Sequence, residues 1–271
     1  MLKTRIFTGA ILSVFLIGFL LLSHIPWVMS VITSLLCIGA VCELYRATGI
    51  MHNKCVLYVT CCASIVISFI PSMVNAYIML ALLIMAGVLF TYLMRNVKSM
   101  HSINIWMSVV LAATMVYFLN SMGKLRAMEQ GTYLLGVAIL TPVLTDVFAY
   151  LLGRAFGKHK LAPMVSPKKT IEGSIGGTAV TVLVLILIAL ILDSCNVLQV
   201  QYCKLTIYLL MTSLIAQFGD LSLSSVKRIV RIKDYGKLLP GHGGVLDRFD
   251  SWLFAMPFTY LFCTFVGPMF I

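Results

Sequence analysis

Nine stretches of this chain are apolar for long enough to cross a bilayer, and little of it lies outside them. They run at about 6–23, 25–42, 55–70, 76–94, 103–121, 131–152, 174–192, 203–226 and 250–270, each near the length of about 20 residues that a membrane helix needs. The loops between them are short, which leaves no room for a separate soluble domain. Only 11% of residues are charged and 61% are hydrophobic, whereas a soluble domain carries about a quarter charged residues. A soluble globular enzyme, a disordered chain and a disulfide scaffold are therefore excluded. The expected fold class is all-α: a polytopic integral membrane protein with about nine transmembrane helices.

The placement of cations gives the orientation, because cytoplasmic loops retain Lys and Arg. Of the 20 Lys and Arg residues, only Lys124, Arg126 and Lys204 fall on one predicted side, and the other 17 fall opposite. The richer side includes Lys3 and Arg5, the group Arg154, Lys158, Lys160, Lys168 and Lys169, and the group from Lys227 to Arg248. That side is expected to be cytoplasmic, with the N-terminus inside and the C-terminus outside. No small-residue cleavage site follows the first apolar run before Ser23-His24-Ile25-Pro26, so that run reads as a retained helix. The eight cysteines lack metal-ligand spacing and read as small apolar packing residues.

Acids are scarce and unevenly spread. Residues 1–125 hold one, Glu43, at a helix end; the other eight lie from Glu129 onward. This divides the chain into an N-terminal array of helices, 1–125, read as scaffold or lipid-facing wall, and a catalytic region, 126–271. Three stretches carry the chemistry. In the first, Asp146 lies near the cytoplasmic end of an apolar helix with Tyr150 one turn on, followed by Ser166-Pro167-Lys168-Lys169-Thr170-Ile171-Glu172-Gly173. A carboxylate at such depth is costly unless it faces a partner or a wet cavity, and pairing with a loop lysine would also account for it. In the second, Asp220, Ser224, Lys227, Arg228 and Arg231 are spaced to share one helical face, either as a site or as an internal ion pair. The third runs from Lys233-Asp234-Tyr235-Gly236-Lys237 through Pro240-Gly241-His242-Gly243-Gly244 to Asp247-Arg248-Phe249-Asp250. Its glycines let backbone N–H groups approach an anion. Asp247 and Asp250 then face one way at the start of the last helix, where N-capping explains one of them, Asp250 in the first instance.

Carboxylates beside Lys, Arg and a Gly-rich turn fit a phosphate-plus-divalent-metal site. Hard cations such as Mg²⁺ take a few carboxylate oxygens and substrate phosphates rather than a full protein cage. The residues alone therefore lead to phosphoryl or nucleotidyl transfer involving a lipid.

The run Ser224, Lys227-Arg228, Lys233-Asp234, Gly236, Pro240-Gly241-His242-Gly243-Gly244, Asp247-Arg248 and Asp250 resembles, without a gap, the signature of the phosphatidate cytidylyltransferases, or CDP-diacylglycerol synthases. Ser166-Pro167-Lys168-Lys169-Thr170, Glu172-Gly173 and Gly219-Asp220-Leu221 are similar to that family too, so the likeness spans about 140–256. Leu223 stands where members often carry an acid, and Ile171 where they often carry an aromatic. The resemblance implies that CTP and phosphatidic acid give CDP-diacylglycerol and pyrophosphate, with Mg²⁺ required and a second cation left open. It implies Asp220 and Asp247 as metal ligands, and Lys227, Arg228 and Arg248 as phosphate-neutralising groups beside them. Ser166, Lys168, Lys169, Thr170, Ser224, Lys233, Asp234, Gly241, Gly243, Gly244 and Asp146 would line the substrates. His242 could orient its loop, bond a phosphate or move a proton, whereas His24, His52, His101 and His159 lack carboxylate or metal-ligand spacing. The implied setting is the plasma membrane, with the bilayer, CTP and phosphatidic acid as partners, no nucleic acid, and a homodimer left open.

Two rival readings are a CTP-dependent lipid-alcohol kinase, which would release CDP, and an ion or solute transporter using Asp146 and Asp220. The complete 224–250 signature argues against the first. The absence of an inverted repeat in the sequence argues against the second. Gly153-x-x-x-Gly157 and Gly173-x-x-x-Gly177 are either helix-contact surfaces or loop geometry.

Overall fold

The computed structural model describes residues 14, 16–70, 74–97, 103–236 and 243–270. Its elements are α1 (Pro26–Thr48), α2 (Lys54–Phe69), α3 (Ala76–Arg95), α4 (Ile105–Leu119), α5 (Ser121–Arg126), α6 (Gly131–Phe156), β1 (Lys160–Ala162), β2 (Ser166–Thr170), α7 (Ile171–Ser194), α8 (Tyr202–Ile229) and α9 (Leu246–Phe265). Helical residues at 16–22 precede α1. Among the described residues, α1, α3, α4 continued by α5, α6, α7 and α8 are each long and apolar enough to cross a membrane. The chain is a mostly helical, multi-pass membrane protein. The expected span at 55–70 appears as α2, a shorter apolar helix of 16 residues. The last is the 20-residue α9, whose first turns carry Asp247, Arg248 and Asp250. Most of the expected span at 6–23 lies outside the described residues.

The helices outrun the apolar segments that announce them, because polar residues continue the helix beyond the hydrocarbon. Helix α6 reaches Phe156, and α8 runs for 28 residues, to Ile229. Beyond α8 the backbone turns at Arg231, which is left-handed with φ +58°. Arg231 has therefore left the helical face expected to hold it. Between α6 and α7 the chain forms a small antiparallel hairpin, with Lys160 opposite Thr170 and Ala162 opposite Ser166. This hairpin is a departure from helix that the all-α expectation missed, and Pro167 fits there because a two-stranded ribbon has only edges.

Two features fix the packing. Helices α6 and α7 touch backbone to backbone: a Cβ on Gly173 would stand 2.7 Å from the Cα of Gly153, and one on Gly177 would stand 2.6 Å from the backbone nitrogen of Ala149. Gly173 and Gly177 thus form a helix-contact surface of the kind small residues make in membranes. Helix α9 sits at the centre of the bundle. Phe254 receives Phe90 of α3, Phe118 of α4 and Phe218 of α8 edge-on, at centroid distances of 5.6, 5.8 and 5.6 Å. Such edge-to-face pairs stabilise by about 0.5–1.5 kcal/mol each beyond their area.

Candidate active site

The C-terminal ends of α6 and α8, the strand β2 and the start of α9 converge. From α8, Asp220 places Oδ2 in an ion pair with Nζ of Lys169 on β2, and its Oδ1 accepts a 3.2 Å hydrogen bond from Ser224, one turn on. Nζ of Lys169 also lies 4.0 Å from Oδ1 of Asp146 on α6. Asp146 Oδ2 accepts from the Ser251 hydroxyl at 2.9 Å, and that hydroxyl lies 3.4 Å from Oδ1 of Asp250. Asp146, Asp220 and Asp250 are within Coulombic reach of one another, and Arg248 is within reach of Asp146. Burial opposes the charge on Lys169, but Asp220 and then Asp146 outweigh it and hold the ammonium pKa above its ordinary value.

Asp146, Lys169 and Asp220 open onto a cavity of about 490 Å³ lined also by Tyr150, Arg154, Lys160, Lys168, Thr170, Ser174 and Gln217 among others. Its wall bears four cations (Arg154, Lys160, Lys168, Lys169) and two carboxylates, a lining suited to a polyanion that brings a metal with it. Tyr150 and Asp146 share the wall, as their one-turn spacing predicts.

A second group stands where the chain enters α9. Nζ of Lys227 is 3.0 Å from Asp247 Oδ1, and Asp247 Oδ2 accepts from the backbone N–H groups of Tyr235 (2.8 Å) and Gly244 (3.0 Å). Lys227 also lies 5.5 Å from the ring centroid of Tyr235, whose hydroxyl donates to the carbonyl of Leu223. Gly243 has φ +84°, a left-handed backbone that only glycine adopts freely. The aspartate that folds back on the entering chain is therefore Asp247, while Asp250 accepts from the N–H of Ser251. Asp250 does not take the capping role expected of it: the N-cap position is Val245, which makes no side-chain cap bond. The two groups meet through Asp250, and Lys227 is within Coulombic reach of Asp220.

Residues 3–266 match the sequence profile of the cytidylyltransferase family. The chain belongs to the cytidylyltransferase family. It is 41% identical over 129 residues to a phosphatidate cytidylyltransferase of Staphylococcus saprophyticus, covering 48% of each chain. It is 46% identical over 116 residues to one of Bacillus subtilis, covering 43% of this chain and 42% of that one. With one of Staphylococcus aureus it shares 45% over 130 residues, 48% of each. The matched segment thus spans about half the length of these curated relatives, while the family profile takes in nearly the whole chain.

The remaining expected site residues are dispersed. Ser166 is at the far end of β2, paired with Ala162, and is not part of the cavity wall. Arg228 is exposed, with Nε donating to the Val165 carbonyl at 3.0 Å, so it ties the hairpin to α8. Lys233 and Asp234 are exposed beyond α8. Gly241 and His242 lie outside the described residues. Thr170, besides lining the cavity, caps α7 by accepting from the Gly173 N–H at 3.2 Å.

Sequence reasoning missed three contacts in and around the site. Gln217, one turn before Asp220, is fixed from both ends of its amide: Oε1 accepts from Ser174, and Nε2 donates to Thr178. An amide facing the same side as Asp220 inside an apolar helix was the available signal. His159, read as lacking a carboxylate, has its Nδ1 2.6 Å from Glu172 Oε1, and Glu172 also accepts from the backbone N–H groups of Lys158 and His159. Glu43 is the third. It reaches α9 from α1, and no local pattern announces it.

Proposed function

We propose that the protein transfers CMP from CTP to phosphatidic acid, giving CDP-diacylglycerol and pyrophosphate, as its relatives' names suggest. The observation that carries this is the Lys169–Asp220–Asp146 cluster at the wall of a cation-lined cavity, in a chain that belongs to the cytidylyltransferase family. A phosphate-monoester oxygen of phosphatidic acid attacks the α-phosphorus of CTP. The bond from that phosphorus to the bridging β-phosphate oxygen breaks, and pyrophosphate leaves. The attacking monoester has a second pKa of about 6 and is largely anionic at neutral pH, so no strong base is required. The chain's task is to position the two phosphates in line and offset their charge. In this reading Lys168 and Lys169 on the cavity wall do that work, joined by Lys227, Arg228 and Arg248 from the end of α8 and the start of α9. Ser224 orients Asp220, and Gln217 with Ser174 shapes the cavity floor. The contributions of His242 and Gly241 rest on the sequence pattern alone.

The donor chemistry fits Mg²⁺. Asp220 and Asp247 would hold it, each a hard carboxylate that a lysine neutralises here, with Asp146 and Asp250 within reach of Asp220. Among the described residues no three acids, histidines or cysteines form a ready-made cage, and Mg²⁺ ordinarily completes its octahedron with waters and substrate phosphates. Bound there, it supplies charge neutralisation for the pyrophosphate leaving group.

The proposal extends to topology: nine spans in the plasma membrane, N-terminus and active site at the cytoplasmic face, 1–125 as scaffold and 126–271 as catalytic region. The cation asymmetry supports this placement. The deciding assay supplies purified protein with phosphatidic acid, Mg²⁺ and CTP labelled at the α-phosphate. Labelled lipid and free pyrophosphate are expected. Lipid labelled only from γ-labelled CTP, or no labelled lipid at all, overturns the proposal.

A further inference from the structure

Glu43 is the only acid in the first 125 residues, and only 6% of it is exposed. It lies on α1, yet both its oxygens are engaged at the start of α9. Oε1 accepts from the Val245 N–H at 2.9 Å, and Oε2 accepts from the Leu246 N–H at 2.8 Å. Those donors belong to a helix start, where backbone N–H groups have no partner within the helix and where the dipole favours negative charge. The contact is closely fitted. A side chain added at Gly236 or at Gly244 would run into the Glu43 carboxylate, so the backbone on both sides of 237–242 is packed against it. One turn earlier on α1, Gly39 leaves room for Val245, whose methyl would stand 3.4 Å from a Cβ there.

A buried acid is expensive, and an apolar residue would fill the same space at lower cost. The expense is met by two charge-assisted hydrogen bonds to consecutive N–H groups, and these fix the position and rotation of the first turn of α9. That turn carries Asp247 and Arg248, and Asp250 follows at the start of the second turn. We infer that Glu43 is a positioning residue for the transfer reaction: a carboxylate from the N-terminal half that sets the start of α9 and thereby the geometry of Asp247, Arg248 and Asp250. This rests on the cytidylyl-transfer reading for its kinetic consequence, but not for its structural one.

The test uses the full-length protein in detergent with Glu43→Gln, which keeps the size and one acceptor but faces the other N–H with an amide that cannot accept. Turnover at saturating CTP and phosphatidic acid should fall at least about tenfold, with KM for CTP within about twofold of wild type, because the altered groups act at the reacting phosphates. Hydrogen exchange should quicken in peptides covering 243–250 and stay unchanged in α6 and α7. Wild-type turnover in E43Q overturns the inference. So does lost activity accompanied by faster exchange throughout the molecule, which marks a general structural role. If E43Q gives no monodisperse protein, Glu43→Asp, with the charge kept and the reach shortened by one methylene, is judged by the same criteria. A wild-type protein inert with CTP and phosphatidic acid defeats the functional reading instead. In that case exchange at 243–250 still decides whether Glu43 holds the start of α9.

Discussion

Asp220 and Asp247 each face a lysine, but their surroundings differ, and their substitutions should fail differently. Asp220 shares Lys169 with Asp146. Its replacement by alanine should abolish cytidylyl transfer while leaving the yield of folded protein close to wild type. Asp247 is almost wholly buried, with 4% of its side chain exposed, and binds Lys227 together with two backbone N–H groups. Asp247→Ala should abolish transfer and also lower the thermal midpoint, because breaking a buried pair typically costs about 3–5 kcal/mol. Equal midpoints for the two variants would refute this distinction. The charge on Lys169 gives a pH expectation. Its folded pKa is raised above the ordinary 10.5, so its ion pair contributes fully below that pH and is lost only as pH rises through the raised value. The alkaline limb of a turnover profile between pH 7 and 10 should therefore be the same in wild type and Lys169→Arg. Much at this scale was legible from local spacing: Asp220 with Ser224, and Asp146 with Tyr150, each one turn apart. The partners of Glu43 and Asp247 were not, since they depend on which chain segments meet.

At the scale of elements, the contact between α6 and α7 sets the width of the cavity that lies above it. Gly177 has no room for a side chain against Ala149, so Gly177→Leu should force the helices apart. The expected result is a lower thermal midpoint in detergent and loss of transfer; a variant with wild-type stability would show that the helices need not touch. Thr170→Ala removes the cap of α7 and should cost about 1 kcal/mol, measurable as a smaller shift of the same midpoint. The helices themselves were readable because apolar runs of bilayer length have few other structures open to them. Their ends were not, because α6, α8 and α9 continue through polar residues that belong to the site. The hairpin at 160–170 went unread for a related reason: Ser-Pro-Lys-Lys-Thr has the composition of a basic loop, and its strand pairing is supplied by Lys160 and Ala162 across the turn.

For the molecule as a whole, the proposed topology places Cys55 and Cys195, both exposed, on opposite sides of the membrane. In single-cysteine variants, an impermeant maleimide applied outside intact cells should label Cys195 and spare Cys55; the reverse pattern would invert the topology. The arrangement of α9 has a consequence for how the protein is made. Glu43 enters the membrane with α1, but the N–H group it binds lies 202 residues further along the chain. At about 5–20 residues per second, the ribosome takes roughly 10–40 s to supply it. Through that interval the acid has no partner from α9 and must stay within reach of water. Docking of α9 is thus the step that draws Glu43 inward, so the side chains at the start of that helix take their places only after those 202 further residues have been made.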